Sequence, residues 1–307
     1  MKKYYLLPLF LLFLTISFSQ KKKNTNDGLK SSDLSGLKFR SVGPAFMSGR
    51  IADIAINPEN ENEWYVAVGS GGVWKTVNSG TTWKAITDDQ DFYSTGCITI
   101  DPHNSSKIWL GTGENVGGRH VGIGHGVFVS DNGGKSWKSM GLKSSEHISK
   151  IIVSPKDPNI VFVASQGPLW SPGGERGLYR TNNGGKTWKN VLSVNEWTGV
   201  TDIAIDHNNP NILYAATWQR HRNVASYMGG GPGTSIYKST DHGITWTEIK
   251  NGLPSSNLGK IGLAISPFDS SILYAAVETD RRNGAVYKTT NSGGSWKKMS
   301  DTVSGAT

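Results

Sequence analysis

The chain has 307 residues, only 36% of them hydrophobic, with 38 glycines and 11 tryptophans, a composition that suits many short strands and turns better than packed helices. Lys2, Lys3 and Lys21–Lys23 supply much of the formal charge of +8. The remaining basic residues are scattered through turns, which excludes a nucleic-acid surface, and the single cysteine, Cys97, excludes an intramolecular disulfide.

The first segment, MKKYYLLPLFLLFLTISFSQ, has a basic start, an apolar core from Leu6 to Phe18, and small residues at Ser17 and Ser19. That is the pattern of an export signal covering 1–19. Its apolar run is short beside the roughly 20 residues that span a bilayer. The expected product is a cleaved, secreted, periplasmic or cell-surface protein with no membrane insertion after cleavage. A polar linker is expected over 20–36, followed by an apolar strand, LKFRSV, at 37–42.

From residue 50 the text repeats. First strands are expected in RIADIAINP, GCITIDP, SKIIVSP, TDIAIDH and IGLAISP, and second strands in EWYVAVG, KIWLGTG, IVFVASQ, ILYAATW and ILYAAVE. Third strands follow in GVWKTV, GVFVSD, GLYRTN, SIYKST and AVYKTT, and fourth strands in WKAIT, WKSM, WKNVL, WTEIK and WKKMS. Four short antiparallel strands in a unit of about fifty residues make a β-propeller blade. The expected fold is therefore an all-β propeller of four-stranded antiparallel blades, covering 37–307. The blades run over about 50–95, 96–148, 149–200, 201–259 and 260–300.

Each third strand leads into the fourth through one eight-residue turn: TVNSGTTW, SDNGGKSW, TNNGGKTW, STDHGITW or TTNSGGSW. The Asn or Asp can bond the backbone locally, and Gly supplies positive φ. The Trp ring can pack under the turn while its N–H reaches a carbonyl. Asn78 and Trp83, Asn132 and Trp137, Asn183 and Trp188, Asp241 and Trp246, and Asn291 and Trp296 are therefore read as structural.

These turns lie at the end of each blade opposite the loops joining second to third strands. Those loops differ widely and carry the chemistry. They offer Arg119, Trp170, Trp218, Arg220, Arg222, Tyr227 and Arg281, flat rings for sugars or peptide side chains and guanidinium groups for carboxylates. His120, His125 and His221 show no metal-ligand spacing, so neither a metal nor a cofactor is expected. On the first strands, Asp53, Lys150 and Asp202 share a column expected at the channel mouth. They form either a ligand-facing group or an ion-pair ring that holds the blades.

The five turns resemble the Asp box, or BNR repeat. SGGVWKTVNSGTTW and GAVYKTTNSGGSW further resemble the sortilin N-terminal propeller and xyloglucanase-type glycoside hydrolases. The resemblance spans roughly 37–300. The xyloglucanase pattern implies a catalytic Asp just before the Gly-Gly of the first blade, where this chain has Gly69 and Ser70. The expectation is an exported module that binds polysaccharide or peptide through its long loops. The alternative is a xyloglucanase-like glycoside hydrolase whose catalytic residues lie partly outside this chain; a third reading is an assembly platform. The ring is expected to be open, part of a larger propeller with further C-terminal domains, leaving apolar flanks on blades 1 and 5. A closed five-bladed ring is the alternative.

Overall fold

Five four-stranded antiparallel sheets follow one another along the chain, each with its strands paired in sequence order. The computed structural model describes residues 30–36, 50–279 and 284–301. Within the unit Met1–Phe46, the described residues form a 3-10 turn, Ser31–Leu34, with the Lys30 amide donating to the Asp33 carboxylate at 2.9 Å. The expected strand at 37–42, the export segment and Arg281 lie outside the described residues.

Blade 1 is built from Ile51–Ile56, Trp64–Val68, Gly72–Thr76 and Lys84–Ala85. Blade 2 uses Thr95–Asp101, Asn104–Thr112, Val127–Ser130 and Lys138–Ser139, and blade 3 uses Ile148–Val153, Val161–Ser165, Gly177–Thr181 and Lys189–Leu192. Blade 4 comprises Thr198–Ile205, Leu213–Gln219, Ile236–Ser239 and Thr247–Glu248; blade 5 comprises Leu258–Ile265, Leu273–Thr279, Ala285–Thr289 and Lys297–Asp301. Most fourth strands are only two residues long, because the turn motif consumes the residues just before them. The described part of the unit Met47–Thr307 is thus an all-β propeller arrangement.

Period-two alternation gives every blade two apolar faces, and successive blades bury them against each other. Tyr65, Ala67 and Val73 of blade 1 pack on Ile98, Ile108 and Leu110 of blade 2. Tyr214 and Ala216 of blade 4 likewise pack on Leu273, Ala275 and Tyr287 of blade 5. Full burial of one such side chain contributes about 1.5–3 kcal/mol.

The repeated turn forms the same hydrogen-bond set in every blade. In blade 1, the amides of Gly80 and Thr82 donate to Thr76 Oγ1 (3.0 Å) and Asn78 Oδ1 (2.9 Å). Two successive residues take positive φ there, Ser79 at 51° and Gly80 at 86°, and the second is glycine in all five copies. The indoles do more than seal their own turn. Trp137, Trp188 and Trp296 donate to the carbonyls of Ile86, Met140 and Ile249 in the preceding blades, at 3.2, 2.7 and 3.2 Å.

Candidate functional site on the loop face

The first strands place Asp53 and Asp202 in matching positions, paired with Ala67 and Ala216. Both are half-buried, and each is engaged by a backbone amide of the next blade. Asp53 Oδ2 accepts the Ile98 amide at 3.1 Å, and Asp202 Oδ2 accepts the Leu263 amide at 2.7 Å. Each carboxylate pins the first strand of the next blade, where an unpaired edge amide would otherwise be costly to bury. Burial raises the Asp202 pKa, while the Leu263 amide and the Lys150 charge pull it back. Lys150 thus acts on Asp202 through its charge.

The loops converge on a segment of blade 2. Three consecutive carbonyls, Asn115, Val116 and Gly117, accept Lys260 Nζ (2.6 Å), Arg220 Nη1 (2.9 Å) and Arg222 Nη2 (3.2 Å). Arg220 also donates to Gly167 of blade 3 at 3.2 Å, and the Arg222 amide reaches the Leu169 carbonyl at 3.0 Å. Two cations share one indole: the Arg220 guanidinium lies 5.1 Å and Lys260 Nζ 5.4 Å from the Trp218 ring. Arg222 stacks on Tyr227 at 4.5 Å.

This arrangement corrects two sequence expectations. Trp218 is 3% exposed and Arg220 fully buried, so neither presents itself to a ligand. Trp218 lies in the second strand of its blade, where ILYAATW ends, and donates its indole N–H to Gly229 at 2.8 Å; the sequence also read it as the first residue of the ligand-facing loop. Desolvation lowers Arg220 to about 9 and Lys260 to about 8. Arg176, which donates to the carbonyls of Gln166, Pro168, Ser171 and Gly173, is lowered to about 10 for the same reason. These cations are knots that satisfy loop carbonyls in place of water. His147 approaches Glu146 to 4.0 Å without forming an ion pair, because burial and then Arg220 hold the imidazole pKa at about 3.

Two aromatic rings remain exposed on these loops. Trp170 is 48% and Tyr227 39% exposed. Arg119 is exposed and donates to the Val224 carbonyl at 3.5 Å. The loops thus bring Arg119, Arg220, Arg222, Tyr227 and Trp218 into one cluster, with Trp170 joined through the Leu169 backbone. Asp53, Lys150 and Asp202 stay on the inner strands.

Glu114 is a residue the sequence reading missed. Its carboxylate is 2% exposed, ion-paired with Arg50 at 2.6 Å and bonded by the Gly122 amide at 2.9 Å. It fills the space that a side chain at Gly69 would need: a Cβ there would run into Glu114 Oε1. The signal was the bare run Gly69-Ser70-Gly71-Gly72, which leaves room for a side chain from elsewhere. Among the described residues, no three His, Cys, Asp or Glu side chains gather in a metal-holding group.

Strand order and repeated turns together define a β-propeller of four-stranded antiparallel blades. A xyloglucanase of Hypocrea jecorina is 27% identical over 258 residues, covering 72% of this chain and 28% of that protein. Two solved structures share the fold at TM-score 0.62: an ancestral GH74 enzyme, 19% identical over 84% of this chain and 34% of its own, and the Niastella koreensis GH74 enzyme, 18% identical over 81% and 38%. No protein-family model matches the chain. The chain spans little more than a quarter of the length of this curated relative.

Proposed function

We propose that the loop face binds polysaccharide, of the β-glucan class named for the xyloglucanase relatives, within an exported protein. The carrying observation is a pair of exposed rings, Trp170 and Tyr227, on loops tied together by Arg220, which donates to Val116 and Gly167, and by Arg222, which donates to Gly117 and Leu169. Aromatic faces held rigidly lose little entropy on stacking against a sugar. The repeated turns, read as Asp boxes of the kind found in sortilin-like propellers, serve the scaffold. A peptide is the second ligand class that such rings suit.

Binding is favoured over hydrolysis by the state of Glu114. Glycoside hydrolysis needs two carboxyl groups about 5–9.5 Å apart flanking the sugar bond. Glu114 is buried and already committed to Arg50 and Gly122. Titration calorimetry with xyloglucan oligosaccharides, run beside a reducing-sugar assay, tests the reading. Binding without turnover is the expected result. Turnover lost in Glu114→Gln would replace it with the hydrolase reading, and absence of both binding and turnover would remove the β-glucan assignment.

A further inference from the structure

Beside the Tyr227 ring, between the blade 4 loop and the strands of blade 5, lies a cavity of about 370 Å³. That falls within the size range of small-molecule sites, about 300–1,000 Å³. Part of its lining is bare backbone: Gly229 and Gly230 from the loop, and Gly259 from the first strand of blade 5. Two of these glycines are required by close approach. A Cβ on Gly230 would meet the Leu258 carbonyl at 2.5 Å, and one on Gly259 would meet Glu278 Cγ and Oε2 at 2.9–3.0 Å. The Gly231 amide bonds the Leu258 carbonyl at 3.1 Å and ties the loop to the strand.

Side chains complete the lining: Tyr227, Asn257, Glu278 and Thr279. The Arg222 guanidinium, 4.5 Å from the centre of the Tyr227 ring, holds that ring in place. Glu278 is anchored as well, because its Oε2 accepts the Lys260 amide at 3.1 Å. An ionised carboxylate has about four acceptor positions, so one backbone bond leaves most of them for a ligand. Asn257 is exposed and offers both a donor and an acceptor. The charges narrow what fits. Of the lining side chains only Glu278 is charged, and it opposes a carboxylate placed against it. Behind the cavity Lys260, Arg220 and Arg222 converge on the carbonyls of Asn115, Val116 and Gly117, and these three cations oppose a fourth. An uncharged ligand rich in hydroxyl groups meets neither obstacle.

We propose that this cavity is a subsite for one uncharged sugar residue, with Tyr227 as its stacking platform and Glu278 as the acceptor for two adjacent hydroxyl groups. The same carboxylate excludes uronic acids. Two neighbouring hydroxyls present nearly parallel donors to the two oxygens of one carboxylate, the pattern that makes bidentate pairing strong. The Asn257 amide serves a further hydroxyl. The subsite rests on the polysaccharide reading and narrows it to neutral chains.

Titration calorimetry with neutral xyloglucan oligosaccharides and with acidic tetragalacturonate tests this. The parent chain should bind the first and not the second. Glu278→Gln keeps an acceptor for the Lys260 amide, so its melting temperature should hold. It should weaken xyloglucan binding about tenfold, the difference between a charged and a neutral acceptor, and admit tetragalacturonate. Asn257→Ala should weaken xyloglucan binding about threefold to tenfold, the effect of one lost hydrogen bond. If both variants bind both probes as the parent does, while Trp170→Ala loses xyloglucan affinity, the cavity is not the subsite and the polysaccharide reading stands. A parent that binds tetragalacturonate as tightly as xyloglucan overturns the exclusion of uronic acids. A parent that binds neither oligosaccharide removes the subsite and the polysaccharide reading together. Tetralysine, run as a third probe, then shows whether Glu278 serves a basic peptide instead.

Discussion

Arg220 Nη1 donates to the Val116 carbonyl at 2.9 Å across 104 residues of sequence, and this bond ties the blade 4 loop to the blade 2 loop. Its partner bonds from Lys260 and Arg222 use the two flanking carbonyls. The loop face is therefore held by cations that serve backbone oxygens, which leaves the exposed rings of Trp170 and Tyr227 beside them to carry the proposed binding.

Replacing Arg220 by Ala should destabilise the protein by about 1–3 kcal/mol, since the carbonyls of Val116 and Gly167 lose their buried donor. Arg220→Lys should rescue less than half of the loss, because an ammonium cannot reproduce the two-pronged geometry. Urea denaturation measures both. A melting curve unchanged in the Ala variant would show that the knot carries no stability.

Trp170→Ala should weaken β-glucan binding by about three- to tenfold, the range of one aromatic stacking contact. Its stability should stay within about 0.5 kcal/mol of the parent, as at exposed sites generally. Calorimetric titration with the same oligosaccharide series reads the first effect and thermal melting the second. Unchanged affinity would move the ligand off this face.

The blade text was legible because apolar alternation and a fixed turn both repeat, and local physics dictates both. Register and turn chemistry needed nothing from the rest of the chain. The roles of Trp218 and Arg220 were not legible. Whether an arginine beside a tryptophan faces solvent or a carbonyl depends on a loop 104 residues away, and no local pattern encodes that. Glu114 stayed hidden for the same reason: its position is explained by the missing side chain at Gly69, in another blade. Asp53 and Asp202 were placed correctly on their strands, but what their oxygens accept, the Ile98 and Leu263 amides, belongs to the next blade.

His147 makes stability depend on acid. Its folded pKa, about 3, lies below the ordinary imidazole value of 6.5, with burial the first cause and Arg220 the second. Between those values the unfolded chain binds a proton that the folded chain does not. Stability contributed by the neutral imidazole is therefore complete above pH 6.5 and falls as the pH drops toward 3, by about 1.4 kcal/mol per unit of pH. His147→Gln should flatten that stretch of the stability profile, followed by urea midpoints at successive pH values. An equally steep profile in the variant would assign the acid sensitivity to other groups.

The last expectation concerns the space shared by Gly69 and Glu114. Gly69→Ala adds a methyl group that would run into Glu114 Oε1, and the carboxylate cannot retreat easily because Arg50 and the Gly122 amide both hold it. Overpacking of this kind costs about 1–3 kcal/mol. Glu114→Ala alone should also destabilise, since it leaves the Gly122 amide without its acceptor. The two changes touch the same cavity, so they should not add. With Glu114 shortened to Ala, Gly69→Ala should cost under about 0.5 kcal/mol, the margin within which independent effects are expected to add. A double-mutant cycle by urea denaturation measures that difference. Strict additivity would show that the bare glycine run in blade 1 is not what makes room for the blade 2 carboxylate.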